Sequence, residues 1–325
     1  MKKVIIMGLV AVLIVSGCSL TQSKAKLLSL EEAKAKAVDF INNNLMQAGQ
    51  EVSIKEVTEE NDLYKIVVNM PNGQEVISYM TRDGKKFFPQ VMDIAEIEQK
   101  TKEKKEKQAQ AEENSRSNLP KAEQPKVELF VMSYCPYGTQ IEKGLLPVLE
   151  KLGNKIDFQL KFCDYAMHGK KELDENLRQY CLQKEEPQKL LGYLHCFLDK
   201  GESEECLKTV GIDQAKLNSC VKAADKEYKV TEMYNDKSTW SNGRFPRFNV
   251  FADDNDKYNV KGSPTLVING KQIGSRRDPS SLLKTICAGF EEQPEECQAN
   301  LSSQTPSPGF GFKAGGSSSG GGCSG

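Results

Sequence analysis

At 325 residues, with 38% apolar and 27% charged side chains, the chain can bury one large core or two smaller ones but not a long array of domains. A formal net charge of -1, with lysines and glutamates interleaved along most of the length, gives no single-sign field, and no nucleic-acid partner is expected. Ten cysteines against two histidines speak against zinc sites and for a compartment that permits disulfides.

The chain opens on Lys2 and Lys3, then an apolar run from Val4 to Val15 that is short for a membrane span and fits an export signal over residues 1–17. It closes on Val15-Ser16-Gly17-Cys18, which resembles the bacterial lipobox. The resemblance implies a lipoprotein signal peptide, lipid on Cys18, and attachment to the extracytoplasmic face of the cell envelope.

Ser29 and Glu32 form a capping-box pattern, and Ala33, Ala37, Phe40, Ile41 and Leu45 follow at helical spacing. Alternating runs at Val52 to Val57, Leu63 to Met70 and Val76 to Met80, with turns at Pro71-Asn72-Gly73 and Arg82-Asp83-Gly84, predict a meander reaching Phe87 and Phe88. Residues 26–92 therefore read as a small α+β module for binding, spacing or dimerisation. Residues 93–126 turn to Lys, Glu, Gln and Ala and predict a charged, partly helical linker. From residue 300 the composition turns to Ser, Pro and Gly and predicts a disordered tail to residue 325.

Between linker and tail, residues 127–299 carry the chemistry. Val127 to Val131 reads as a buried strand that runs into Cys135-Pro136-Tyr137-Gly138, then a helix with Ile141, Leu145, Leu146, Val148 and Leu149 on one side, then a strand from Ile156 to Phe162. That βαβ order puts Cys135 at a helix N-terminus, where unsatisfied amides favour a thiolate. Gly262-Ser263-Pro264-Thr265 precedes another short strand. In thioredoxin-like folds a cis-proline at such a point lies against the reactive cysteine, and the residue before it, here Ser263, offers its backbone to an extended substrate.

A more specific resemblance follows. His168-Gly169-Lys170-Lys171-Glu172 through Asn176 and Cys181 is similar to the signature CQHGxxECxxNxxxxC of the gamma-interferon-inducible lysosomal thiol reductase family, matched at His168, Gly169, Glu172, Asn176 and Cys181. The similarity covers about residues 127–297 and implies a DsbA-like α/β thioredoxin fold with a disulfide-rich helical insertion at about 166–235. Ala166 and Leu173 stand where the signature has cysteines, consistent with one absent disulfide. Gly138 stands where the family has its second reactive cysteine, so a two-thiol cycle within the motif does not carry over.

The spacing of the remaining cysteines favours Cys181–Cys196 across Glu185-Glu186-Pro187-Gln188, Cys206–Cys220 across Gly211-Ile212-Asp213, and Cys287–Cys297 across Pro294, with other connectivities left open. Cys163 ends a strand on the same side of the sheet as Cys135 and is a candidate displaced resolving thiol or a plain buried cysteine. Cys323, on a glycine-rich tail that could reach many places, is a second candidate. His168 fits a turn or cap, with proton transfer to a bound thiol as the alternative; His195 fits a structural role; Asp253-Asp254-Asn255-Asp256 lacks EF-hand spacing and predicts a solvated turn. No cofactor or metal motif is present.

These features predict a thiol–disulfide oxidoreductase, a monothiol reductase or isomerase, whose Cys135 attacks protein disulfides and which needs a thiol electron donor. The alternative is a redox-silent, chaperone-like binding lipoprotein on the same scaffold. Glutaredoxin chemistry with glutathione is disfavoured by the export signal.

Overall fold

The computed structural model describes residues 26–312 and the backbone of Cys323 and Ser324, so the export signal and Cys18 lie outside the described residues. The chain divides into two compact units at Glu103 and Lys104.

In the first unit, α1 (Leu30–Asn44) starts at the predicted capping box: the Ser29 side chain accepts from the Glu32 N–H, and Glu32 returns to the Ser29 N–H at 2.7 Å. Its stripe of Ala33, Ala37 and Ile41 is buried. The sheet is an antiparallel meander of β1 (Ser53–Glu60), β2 (Leu63–Asn69), β3 (Glu75–Thr81) and β4 (Phe87–Phe88). Strict alternation in β2 turns Tyr64, Ile66 and Val68 towards α1, and Ile54 and Met80 complete that core. Helix α2 (Ile94–Ser117) follows where the charged linker is predicted; it buries no residue and carries Glu-to-Lys pairing one turn apart at Glu96 and Lys100.

The second unit has a thioredoxin-like α/β fold. Its four-stranded sheet runs in the order β6 (Asp157–Phe162), β5 (Lys126–Val131), β8 (Thr265–Ile268), β9 (Lys271–Gln272). The β5–β6 pair is parallel and is joined by α3 (Pro136–Leu152); β8 is antiparallel to β5 and β9 to β8. Since strand side chains alternate, Val127, Leu129 and Val131 of β5 enter the main core with Leu145, Val148, Leu152 and Leu160, while Phe130 enters a second cluster on the opposite face.

The insertion follows β6 as α4 (Lys170–Glu185), α5 (Pro187–Lys200), α6 (Ser203–Val210), α7 (Gln214–Tyr228) and α8 (Val230–Asn235). Its disulfides correct two of the expected pairings: Cys181 joins Cys220 across α4 and α7, and Cys196 joins Cys206 across α5 and α6. The cause is helix packing. On α5 the core stripe is Leu190, Tyr193, Leu194 and Phe197; Cys196 sits off that stripe and faces α6, while Cys181 is wholly buried. Cys287–Cys297 pairs as expected. In the chain-entropy picture the 39-residue Cys181–Cys220 closure is worth about 4 kcal/mol and the 10-residue Cys196–Cys206 closure about 3.

The acidic run at Asp253 to Asp256 is not a solvated turn but part of α9 (Ala252–Tyr258), whose first turn gains from the acidic residues at the positive end of the helix dipole. Strand β7 (Gly262–Ser263) leads through Pro264 into β8, and α10 (Pro279–Cys287) packs on α3. Residues 301–312 correct the expected disordered tail, because they lie against the domain, and β10 (Cys323–Ser324) pairs antiparallel with β7.

Candidate active site

Cys135 follows β5 through a tight turn closed by its own N–H donating to the Met132 carbonyl at 2.9 Å. It is the N-cap residue of α3, with Pro136 at the first helical position, where the missing amide would be unpaired anyway. The first-turn amides and the helix dipole favour a thiolate there whenever the sulfur is reduced. In the structure Cys135 is fully buried and held in a disulfide.

Facing it is Ser263, whose bond to Pro264 is cis as expected. The Ser263 carbonyl oxygen lies 3.6 Å from Cys135 Sγ. Its hydroxyl, a feature that sequence reading missed, accepts the Met132 N–H at 2.9 Å and ties the proline loop to the chain entering the nucleophile turn. Gly138 packs beneath both: a Cβ there would meet Ser263 Oγ at 2.7 Å and the Met132 carbonyl oxygen at 3.0 Å. The place of a second motif cysteine is thus filled by the serine hydroxyl and the backbone it holds.

The signature residues form a clamp on the same turn. Glu172 is fully buried; Oε1 accepts the Tyr134 N–H at 2.9 Å and sits 2.9 Å from His168 Nδ1, while Oε2 accepts the Met167 and His168 N–H groups at 2.8 and 3.1 Å. Asn176 Oδ1 accepts the Ser133 N–H at 3.2 Å. His168 is therefore part of a turn-and-cap arrangement, and the clamp holds residues 133 and 134 directly before the nucleophile.

Two buried ionisable sites flank the centre. On the Phe130 face, Glu128 Oε1 accepts from Lys161 Nζ at 2.6 Å, Oε2 accepts from the Tyr258 hydroxyl at 2.8 Å, and Lys161 also bonds Asp254. Burial alone would raise the Glu128 carboxyl, but these donors, with Lys126, outweigh it and hold the group below the ordinary carboxylate range. On α3, Glu142 is buried with no hydrogen-bond partner at either oxygen, and burial, with the nearby Glu175 charge, pushes it up to about 8.

Cys163 is reduced and lies in the same apolar cluster as Cys135. Burial pushes its thiol well up, which keeps it in the protonated, weakly nucleophilic form.

A strap over α3 is the largest feature that sequence reading missed. The Gly309 N–H donates to the Pro136 carbonyl at 3.0 Å, and the Gly311 N–H to the Leu198 carbonyl at 2.9 Å. Gln140 donates to the Pro306 carbonyl at 2.7 Å, and the buried Lys143 ammonium donates to the Gly309 and Gly311 carbonyls at 2.7 and 2.6 Å. Phe310 packs edge-on against Tyr134 and Phe197, and Phe312 stacks on His195 with ring centres 4.6 Å apart. The signal in the sequence was Phe310 and Phe312, two aromatic residues in an otherwise small and polar stretch.

Of the sequence-predicted residues, Cys135, Pro136, Tyr137, Gly138, Ser263 and Pro264 come together at one place, with Cys163 in the same apolar cluster as Cys135. Among the described residues no group of His, Cys, Asp and Glu is placed to hold a metal ion, and no helix is long and apolar enough to cross a membrane.

No family model matches the sequence. Over 190 residues the chain is 30% identical to vacuolar-sorting receptor 3 of Arabidopsis thaliana, covering 51% of this chain and 27% of the receptor. Vacuolar-sorting receptor 1 of Pisum sativum is 28% identical over 192 residues, with coverage of 53% and 29%. The chain thus spans little more than a quarter of the length of these relatives. Among solved structures, BdbD from Bacillus subtilis in its oxidised form is 20% identical, covering 56% of this chain and 92% of its own, with a TM-score of 0.35. Reduced DsbA from Mycobacterium tuberculosis is 15% identical, covering 54% and 86%, with a TM-score of 0.37.

Proposed function

We propose that this protein is a thiol–disulfide oxidoreductase of the cell envelope that acts on protein disulfides through Cys135. The observation that carries the reading is the meeting of Cys135, at the N-cap of α3, with the carbonyl of Ser263 at an edge able to pair with an extended chain. In the reaction the Cys135 thiolate attacks one sulfur of a substrate disulfide; a mixed disulfide forms, and the electron pair of the broken S–S bond leaves on the other substrate sulfur. With Gly138 in the motif, a thiol from outside Cys135-Pro136-Tyr137-Gly138 completes the cycle, as in a monothiol reductase or isomerase. The clamp of His168, Glu172 and Asn176 supports kinship with the gamma-interferon-inducible lysosomal thiol reductases, and the lipobox at Cys18 supports lipid anchoring on the extracytoplasmic face.

Reduction of insulin by wild type and by Cys135→Ser tests the reading. Loss of at least most of the activity in the variant is expected, and equal activity would sink it.

A second reading, capture of extended polypeptides without redox turnover, is favoured by the absent second motif thiol and by the similarity to proteins named vacuolar-sorting receptors. Alkylation of reduced Cys135 across pH discriminates: a depressed thiol pKa supports exchange, whereas a slow thiol titrating near 8.5 supports binding.

A further inference from the structure

We infer that Cys323 is the resolving thiol of Cys135, carried by a C-terminal strand that docks where a substrate strand would. The inference rests on the exchange reading above and adds the missing partner.

Cys135 is disulfide-bonded in the structure. Among the other described cysteines, Cys181, Cys220, Cys196, Cys206, Cys287 and Cys297 pair with one another and Cys163 is reduced. The partner of Cys135 is therefore Cys18 or Cys323, and backbone placement favours the second. In the β10–β7 pair Cys323 stands directly opposite Ser263, and β10 also lies beside α3. Residues opposite one another in an antiparallel pair have Cα atoms about 4.5 to 5.5 Å apart. The carbonyl of that same Ser263 is 3.6 Å from Cys135 Sγ. A disulfide needs Cα atoms about 4.4 to 6.8 Å apart, and the register position of 323 stands opposite the very residue whose carbonyl touches Cys135 Sγ.

The strap explains how the tail is delivered. Its anchoring through Lys143, Phe310 and Phe312 brings the chain across the N-terminal half of α3. From Phe312 to Cys323 the sequence reaches up to about 37 Å when extended, more than the roughly 25 Å length of α3. A tether of this length sets an effective thiol concentration in the millimolar range at Cys135. Gly138 then reads as a relocation of the second thiol, from the helix to the tail, and not as its loss.

The cycle balances. After Cys135 has formed a mixed disulfide with substrate, the Cys323 thiolate attacks Cys135 Sγ. The Cys135–Cys323 bond forms, the mixed S–S bond breaks, and its electron pair leaves on the substrate sulfur that was bonded to Cys135, which takes up a proton. One substrate disulfide becomes two thiols while two thiols of the protein become one disulfide. A dithiol reductant returns the protein to its reduced state. While oxidised, the tail fills the Ser263 edge and excludes a second substrate.

The test uses the full chain. Non-reducing peptide mapping of the oxidised protein is expected to yield a Cys135–Cys323 peptide pair; Cys135 found joined elsewhere, or found as a free thiol, overturns the inference. Reduced wild type and Cys323→Ser are then mixed with a fluorescent peptide disulfide. Release of the peptide from Cys135 is expected to slow about 100-fold or more in the variant, which should accumulate the mixed disulfide. Equal release overturns the role of Cys323 and leaves the exchange reading standing, whereas absence of any mixed disulfide in both proteins overturns the two together.

Discussion

A Cβ atom added to Gly138 would lie 2.7 Å from Oγ of Ser263, closer than packed side chains tolerate. The serine cannot simply swing away, because it is buried and accepts the Met132 N–H, and the Met132 carbonyl blocks the other side at 3.0 Å. Gly138→Ala is therefore expected to cost about 1 to 3 kcal/mol by overpacking. Gly138→Cys is expected to do the same rather than restore a free-standing dithiol motif. Denaturant midpoints measure this; an alanine variant as stable as wild type would show that the turn has slack that the geometry denies.

Glu172 holds the loop before the nucleophile from the other side. Glu172→Gln keeps the shape but turns one acceptor into a donor, so either the Tyr134 N–H or the Met167 and His168 N–H groups lose their partner. An unpaired buried donor costs about 1 to 3 kcal/mol. The expected outcome is a destabilised protein whose reduced Cys135 is alkylated at an altered rate, while Cys135-independent probes of the first unit are unchanged. Rates and midpoints matching wild type would remove the clamp from the account of the site.

What could be read from sequence was what local pattern determines. The strand, the tight turn and the Pro136 helix start identify the N-cap position of Cys135, and the strand after Ser263-Pro264 announces itself by its proline and the short apolar run that follows. The insertion's disulfides were not legible, because which face of α5 carries Cys196 depends on where Leu190, Tyr193 and Phe197 are buried. Composition also misjudged residues 301–312. A stretch of Ser, Pro and Gly has too little apolar surface for a core of its own, but Phe310 and Phe312 dock on surfaces built by residues far away in sequence. The same holds for Lys143, which looks like a solvated helix lysine and is buried among the strap's carbonyls.

That lysine ties the strap at two carbonyls. Lys143→Met preserves much of the side-chain volume and deletes the ammonium that bonds the Gly309 and Gly311 carbonyls. A hydrogen bond to a charged group contributes about 1.5 to 3 kcal/mol, equivalent to about 10- to 100-fold in local opening. Exchange of the Gly309 and Gly311 amides is expected to accelerate by that factor, with the β5 amides unaffected. Unchanged exchange at the two glycines would mean that the aromatic contacts alone secure the strap.

Glu142 makes stability depend on pH in a direction opposite to that of a salt-bridged carboxylate. Burial raises its folded-state value to about 8, against 4.5 for the ordinary group. Below the lower value both folded and unfolded chains carry the proton, and the group adds no pH dependence. Between the two values only the folded chain holds it, so the advantage is lost as pH rises, by about 1.4 kcal/mol per unit and roughly 5 kcal/mol across the whole window. Glu142→Gln has no proton to lose there. The difference in unfolding free energy, variant minus wild type, is therefore expected to increase from pH 5 to pH 8 and to level off above it. A difference that stays flat over that range would mean that the buried carboxyl finds a partner or solvent once ionised, and would take away the basis for treating it as a protonated group at neutral pH.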